Sequence, residues 1–399
     1  MLANSRKLWA FPLGYAFLVS ACSPYTLHVE AGDFDRHNTV VEFSLPAGAG
    51  AQSWQLRAPN GAIMPVQLDG TGRASFVLDH LGAGYSLELR LEPAGRPHAP
   101  GVEADLLEGL VHFGVSGQPI VRYHADKRPM PRADIDSVYH RNGYLHPVFT
   151  PSGRMVTDDY PPNHIHHHGI WAAWTRTEFQ GRTPDFWNMG QGTGRVDGVA
   201  LDTLWSGPVH GGLQARHQYV DLTSPAPVVA LFETWSMRVY VTSGERYNIF
   251  DLALTQTTAT DSTLHLPTYR YGGVGFRGHR DWDGEENTEF LTSSGMDRSN
   301  GHATRARWCH IGGIVEGELA GIAILSHPDN FEAPQPMRIH PTEPFFNYAP
   351  SQAGDFSIVG GLPYEARYRL VVYDGPADAA ELDRLWNDYA HPPVARVEQ

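Results

Sequence analysis

The sequence predicts an all-β protein: a large antiparallel β-sandwich preceded by a small Ig-like β domain. Three observations carry this prediction. Gly (41), Pro (30) and Tyr (17) are abundant among 399 residues, a composition that favours strands and turns over helical bundles. Apolar residues recur at period two, as where Tyr85, Leu87, Leu89 and Leu91 are interleaved with Ser86, Glu88 and Arg90. Only one segment near the end carries a convincing helical stripe. The 41% hydrophobic fraction suffices for a substantial core, and the length suits one large domain plus a smaller one.

Taken in order, residues 1–21 read as a lipoprotein signal peptide. Arg6 and Lys7 precede the mostly apolar stretch Leu8 to Val19, and Val19-Ser20-Ala21-Cys22 is similar to a bacterial lipobox. That likeness implies cleavage before Cys22, lipidation of its sulfur, and a place on the outer membrane facing the periplasm. The alternative is an ordinary cleaved signal with an incidental cysteine. Cys309 then has no disulfide partner and reads as a small buried hydrophobe. Residues 22–100 hold a small β-sandwich and linker, with TVVEFSL, SWQLRA, MPVQLDG and ASFVLD as strands and EPAGRPHAPGVEAD as the connection. Residues 105–391 form the large domain. Its strands are longer: VVALFETWSMRVYV, YNIFDLALTQ, and PYEARYRLVVYDG, in which Tyr364, Ala366, Tyr368, Leu370 and Val372 share a face. The helix ADAAELDRLWNDYA aligns Leu382, Leu385 and Trp386 and is stopped by Pro392-Pro393. Beyond the signal, no apolar run reaches the ~20 residues of a membrane helix. The formal charge of −14 argues against nucleic acid as a partner and is compatible with a neutral ligand.

The chemistry concentrates in HIHHHGIW, residues 164–171. Pro161-Pro162 before it and Gly169 within it disfavour a helix. On an extended segment His164, His166 and His168 share one side, and His167 takes the other with Ile165. His164 and His166 would then chelate a divalent metal, Zn or Ca. A metal-free catalytic or binding cleft and a structural aromatic wall are the competing readings. A cupin would place a glutamate a few residues later, and Glu178 is too far along. Trp171, Trp174, Phe186 and Trp187 crowd the neighbourhood with Asn188, and flat aromatic faces beside polar groups suit sugar rings. Ordinary core packing is the plain alternative for each of them. Among carboxylates, Glu343 stands out beside His340 and Phe345-Phe346-Asn347, whereas most of Asp281, Asp283, Glu285 and Glu286 read as solvated loop charges. Gly273-Val274-Gly275-Phe276-Arg277-Gly278 matches G-x-G-x-x-G, but a polar loop follows where a dinucleotide site needs a helix. These glycines are expected to permit close approach, leaving Arg277 as a clamp for a polar substituent.

Seven blocks occur together: GYLHPVFTPSGRMVTDDYPPNHIHHHGIWAAW, DFWNMG, YRYGGVGFRG, NGHATRARWCHIGG, GIAILSHPDNFEAPQPMRIHP, EPFFNYAP and ARYRLVVYDG. Over about 130–375 the chain resembles a bacterial domain-of-unknown-function family that carries the label PmoA-like, or methane oxygenase. The methane label is set aside, because a monooxygenase membrane subunit needs spanning helices. The resemblance implies instead a role near carbohydrate catabolism on a galactose-mutarotase-like sandwich. A shared site would map onto His164, His166 and His167; Gly272, Gly273, Gly275 and Arg277; and His327 and Asn330. His168 stands where Arg is commoner and is the expendable histidine of the run.

The expected function is a periplasmic carbohydrate-active enzyme, a glycoside hydrolase or a polysaccharide or oligosaccharide lyase. The alternatives are a non-catalytic glycan-binding lipoprotein and a metal-dependent cupin-like oxidoreductase. The expected catalytic residues are His166, His167 and Glu343. Trp171, Trp187, Tyr271, Arg277, Asn330 and His340 would bind the oligosaccharide or glycoside, and the lipid on Cys22 would be the only membrane contact.

Overall fold

The computed structural model describes residues 25–46, 52–241 and 246–398, so Cys22 lies outside the described residues. The protein is nearly all β, built from antiparallel sheets. In the N-terminal unit the strands run in the order Arg36–Ser44, Arg73–Leu81, Ile63–Leu68, Trp54–Arg57, Ser86–Pro93, Tyr25–Glu30 and Val394–Glu398. Alternation dictates what they bury: Leu27, Val29, Val41, Phe43, Trp54, Leu56, Phe76, Leu89 and Leu91 share one apolar cluster. The first and last strands of that order lie side by side, so the sheet is rolled. The expected small Ig-like unit is thus one rolled sheet, and it borrows its seventh strand from the far end of the sequence.

Two eight-stranded sheets form the large unit. One runs Met337–Ile339, Phe345–Tyr348, Gly273–Arg277, Ile170–Ala173, Leu145–Val148, Gln118–His124, Leu110–Val115 and Val102–Leu107. The other runs Gly194–Trp205, His210–Asp221, Val228–Tyr240, Tyr247–Thr258, Tyr364–Asp374, Glu318–Ser326, Trp308–Val315 and Glu289–Thr292. Their inner faces share a single core. Tyr364, Ala366, Tyr368, Leu370 and Val372 are all buried in it, as their period predicts. The helix Ala379–Ala390 is capped by Asp378, whose side chain accepts from the Glu381 N–H. Cys309 is free and fully buried, as expected, and burial pushes its thiol up.

The two units interlock through buried polar groups. Arg36 donates to Asp388 Oδ1 at 2.9 Å and to the His391 carbonyl at 2.7 Å. Gln67 bonds the His210 carbonyl and accepts from the Val209 and His210 N–H groups. Beside these contacts lies a cavity of about 590 Å³. Its four arginines all have carboxylate partners: Arg73 and Arg238 on Glu42, Arg367 on Asp329 and Arg369 on Asp251. Charges already paired within the protein leave little for a ligand.

Candidate active site

Strand register decides where the site forms. Ile170, Phe276 and Phe346 stand opposite one another on the first large sheet, and Trp171, Gly275 and Asn347 form the next row. Phe346 packs on Tyr348, which stacks on Tyr368 of the second sheet at 5.6 Å. That row therefore faces the core, and by alternation Trp171, Gly275, Arg277 and Phe345 face outward. A side chain at Gly275 would meet the Trp187 ring at 2.6 Å, so the glycine lets the two tryptophans lie against the strand. The close approach expected of the glycine block is real, but the approaching groups are these rings.

The histidine run lies over this outer face as a pair of turns, not as a strand. The His167 N–H donates to the His164 carbonyl at 2.8 Å, and the Tyr160 N–H donates to the His167 carbonyl at 3.1 Å. The expected alternation is therefore wrong. His164 and His167 come onto the same side, rings stacked at 4.8 Å and 15°. His168 turns away into the interior, where Asp159 bonds its Nδ1 at 2.7 Å and Tyr144 stacks on it. It is fully buried, so it is a packing residue that the fold cannot readily spare.

A cavity of about 130 Å³ opens beside the run, lined by His164, His166, His167 and His340 together with Trp187, Asn188, Arg270, Tyr271, Arg338 and Phe345. His166 is half-buried, and among the described residues it makes no side-chain hydrogen bond. His167 is buried with its Nδ1 unpartnered. Glu343 sits behind them. Its Oε2 lies 2.9 Å from His164 Nδ1 and 2.6 Å from an Arg277 nitrogen. Its backbone N–H donates to His340 Nδ1 at 3.2 Å. Asn188 donates to the Tyr271 hydroxyl at 3.2 Å.

Electrostatics sorts these groups. Burial, reinforced by the neighbouring His164 and His168, pushes His166 down to about 4. Burial likewise takes His340 to about 4, and it holds His167 well below the ordinary imidazole value with help from His166 and Arg277. All three rings are neutral at pH 7. Burial alone would raise Glu343, but His164 Nδ1 at 2.9 Å and the Arg277 guanidinium outweigh it and hold the carboxyl at about 2. Burial raises Tyr271, so its hydroxyl keeps its proton.

One nitrogen each from His164 and His167 and one oxygen from Glu343 lie within 4.8 Å of one another, a set that could hold a metal ion. The sequence pointed to His164 with His166; the structure groups His164 with His167. Two imidazoles and one carboxylate suit a zinc-like ion, whereas calcium takes oxygen ligands throughout. The unpartnered His167 Nδ1 fits such a role. Two features oppose it. The lone pairs of stacked rings lie in nearly parallel planes and do not converge on one point. Arg277 already sets a full positive charge on the carboxylate oxygen.

Of the residues expected from sequence, the structure brings together His164, His166, His167, Trp187, Tyr271, His340 and Glu343. Three binding roles need correction. Trp171 and Trp187 are 0% and 1% exposed, so they are packed wall rather than stacking platforms, and Tyr271 offers the accessible ring. Arg277 is fully buried and tied to Glu343, Asp283 and Asn163, and its unpartnered Nε is buried as well, so it does not reach a substrate. Asn330 braces a turn: it bonds Ser326 and both the carbonyl and the N–H of Arg367. The sequence reading missed Arg270 and Arg338. Arg270 adjoins Tyr271 and Arg338 stands two positions before His340, but neither lies in a pattern that marks a site.

No curated protein matches the chain. Among solved structures it is similar to an alpha-mannosidase from Enterococcus faecalis V583 at 11% identity and a TM-score of 0.43, covering 94% of this chain and 46% of that one. A glycosyl hydrolase family 38 protein from Enterococcus faecalis matches at 11% identity and a TM-score of 0.41, covering 94% and 47%. Heparan sulfate lyase HepC from Pedobacter heparinus matches at 9% identity and a TM-score of 0.32, covering 69% and 35%. The chain thus spans less than half the length of each of these proteins. A family model matches residues 111–387, nearly the whole two-sheet unit, and the chain belongs to that family of unknown function, DUF6807.

Proposed function

We propose that this protein is a carbohydrate lyase of the cell envelope, anchored by Cys22, with a galactose-mutarotase-like sandwich as its scaffold. The observation that carries the reading is a cavity lined by four imidazoles and by no carboxylate, with Glu343 held ionised behind them on Arg277. Glycoside hydrolysis by two carboxyl groups needs one of them protonated near neutral pH. Glu343 is doubly paired and held far below that range, so it supports hydrolysis poorly. Neutral imidazole, in contrast, presents a lone pair that can accept a proton at pH 7.

In this reading His166 is the base, because it is half-buried, neutral and free of hydrogen bonds among the described residues. It takes the proton from a ring carbon beside an electron-withdrawing group. The electron pair left behind forms a carbon–carbon double bond, the adjacent carbon–oxygen bond breaks, and the leaving oxygen takes a proton from the Tyr271 hydroxyl. Asn188 orients that hydroxyl. Glu343 and Arg277 act as positioning residues, holding His164 and the turn that presents His166 and His167. The test is product mass in heavy-oxygen water. Elimination yields fragments that together weigh as much as the substrate and carry no solvent oxygen. Incorporation of one labelled oxygen per cleavage would return the protein to the hydrolases.

A further inference from the structure

We propose that Arg270 and Arg338 form an anion subsite that holds the carboxylate of a uronate sugar at the rim of the histidine pocket. The inference deepens, and rests on, the reading of this pocket as a glycan-processing site. Arg338 is the middle residue of the edge strand Met337–Ile339, half-buried, two positions before His340. Arg270 is exposed on the loop leading to Gly273–Arg277. Its guanidinium lies over the rings of Tyr269 at 5.9 Å and Tyr271 at 5.7 Å, and Gln352 bonds its carbonyl at 2.9 Å.

Two guanidinia without a countercharge line this one cavity. Among the described residues, no carboxylate pairs with either guanidinium, and the one side-chain hydrogen bond of Arg338 is a 3.4 Å approach to His302. The nearby acids are spoken for: Glu343 and Asp283 both sit on Arg277. The four arginines of the larger cavity, in contrast, are all paired. Burial, together with the charge of Arg270, presses Arg338 downward, so the two cations feel each other. In a chain of net charge −14, two adjacent cations left unpaired at a cavity are a place prepared for an anion. The planar guanidinium fork matches a carboxylate. Elimination supplies the reason for one: a proton on carbon is acidic enough for imidazole when it lies next to a carboxylate whose charge is neutralised.

The experiment compares a uronate trisaccharide, the same trisaccharide with its carboxyls reduced to alcohols, and a sulfated neutral trisaccharide, using calorimetry and steady-state kinetics. Wild-type protein is expected to bind the uronate at least tenfold more tightly than the reduced sugar. Arg270→Ala and Arg338→Ala should each weaken uronate binding roughly tenfold and together roughly a hundredfold, leaving the reduced sugar unaffected. Arg338→Lys should recover part of the loss. Equal affinity for the uronate and reduced sugars, or unchanged affinity in the double variant, overturns the subsite. Arginine-dependent binding of the sulfated sugar alone overturns its assignment to a carboxylate. The two readings fail separately. Arginine-dependent uronate binding without turnover keeps the subsite and removes the lyase, whereas His166-dependent turnover of the reduced sugar keeps the enzyme and removes the subsite.

Discussion

Two histidine–glutamate clusters of the large unit differ in one respect: one is closed and the other is open. Between the large sheets, His217 and Glu233 are both buried, 2.9 Å apart. His217 Nε2 meets the Tyr123 hydroxyl at 2.8 Å, and Glu233 Oε1 accepts from Tyr219 and Gln256. Gln256 in turn accepts from the Trp174 indole at 2.7 Å. Each of these side chains is bonded to another member of the set, and no cavity adjoins it among those described. In the pocket, His166 is free, His167 keeps an orphaned nitrogen, and two arginines have no countercharge. A closed network holds sheets in register, while an open one is available to a ligand.

The largest effect expected from this contrast falls on the closed cluster. Glu233→Ala strands His217, Tyr219 and Gln256 in the core and should cost about 3–5 kcal/mol in denaturant unfolding. A loss under about 1 kcal/mol would show that the network does not hold the core. Next comes the open cluster. His166→Ala should reduce kcat on a cleavable glycan by roughly 10²- to 10⁴-fold while leaving the unfolding midpoint in place. Parallel loss of activity and stability would make His166 a structural residue.

Acid should separate folded from unfolded imidazoles. Burial holds His210 and His310 at about 4 in the folded protein. An unfolded imidazole takes its proton near 6.5, so below that pH the unfolded state binds more protons than the folded one. This contribution to stability is therefore complete above about pH 6.5 and declines as the pH falls toward 4, by at most roughly 3 kcal/mol for each ring. Denaturant titrations at pH 7 and 5 read this directly, and equal stability at the two values would contradict it. The smallest effect concerns metal. With the His164 and His167 rings stacked and Arg277 on Glu343, a chelator should leave turnover unchanged. Stoichiometric zinc by elemental analysis, with activity lost on chelation, would assign these histidines to a metal instead.

Much of the fold is legible in local patterns. The alternation from Tyr364 to Val372 specifies a half-exposed strand, and Leu382, Leu385 and Trp386 specify the helix that packs back on the sandwich. The histidine run misled because alternation presumes an extended chain. The turns at Pro161 and His164 change which rings meet, and only a few hydrogen bonds record them. Trp187 and Arg277 were found as members of the region but assigned the wrong work, since sequence shows a side chain without showing how deeply it lies. Arg270 and Arg338 went unseen for a different reason. An arginine becomes a site by lacking a partner, and partners such as Glu343 and Asp283 are assigned only when distant strands meet. His217 and Glu233, 16 residues apart, gave no signal because facing positions on neighbouring strands show no local period.

The central claim is that the open histidines remove a proton from a sugar carbon. Its most direct test is nuclear magnetic resonance of a uronate oligosaccharide incubated with the protein in deuterated water. Wild-type protein should place deuterium on the ring carbon next to the carboxylate, or form a new vinylic proton signal on the adjacent carbon that loses the leaving oxygen, and His166→Ala should do neither. Cleavage with every ring proton retained and no double bond formed would contradict the account.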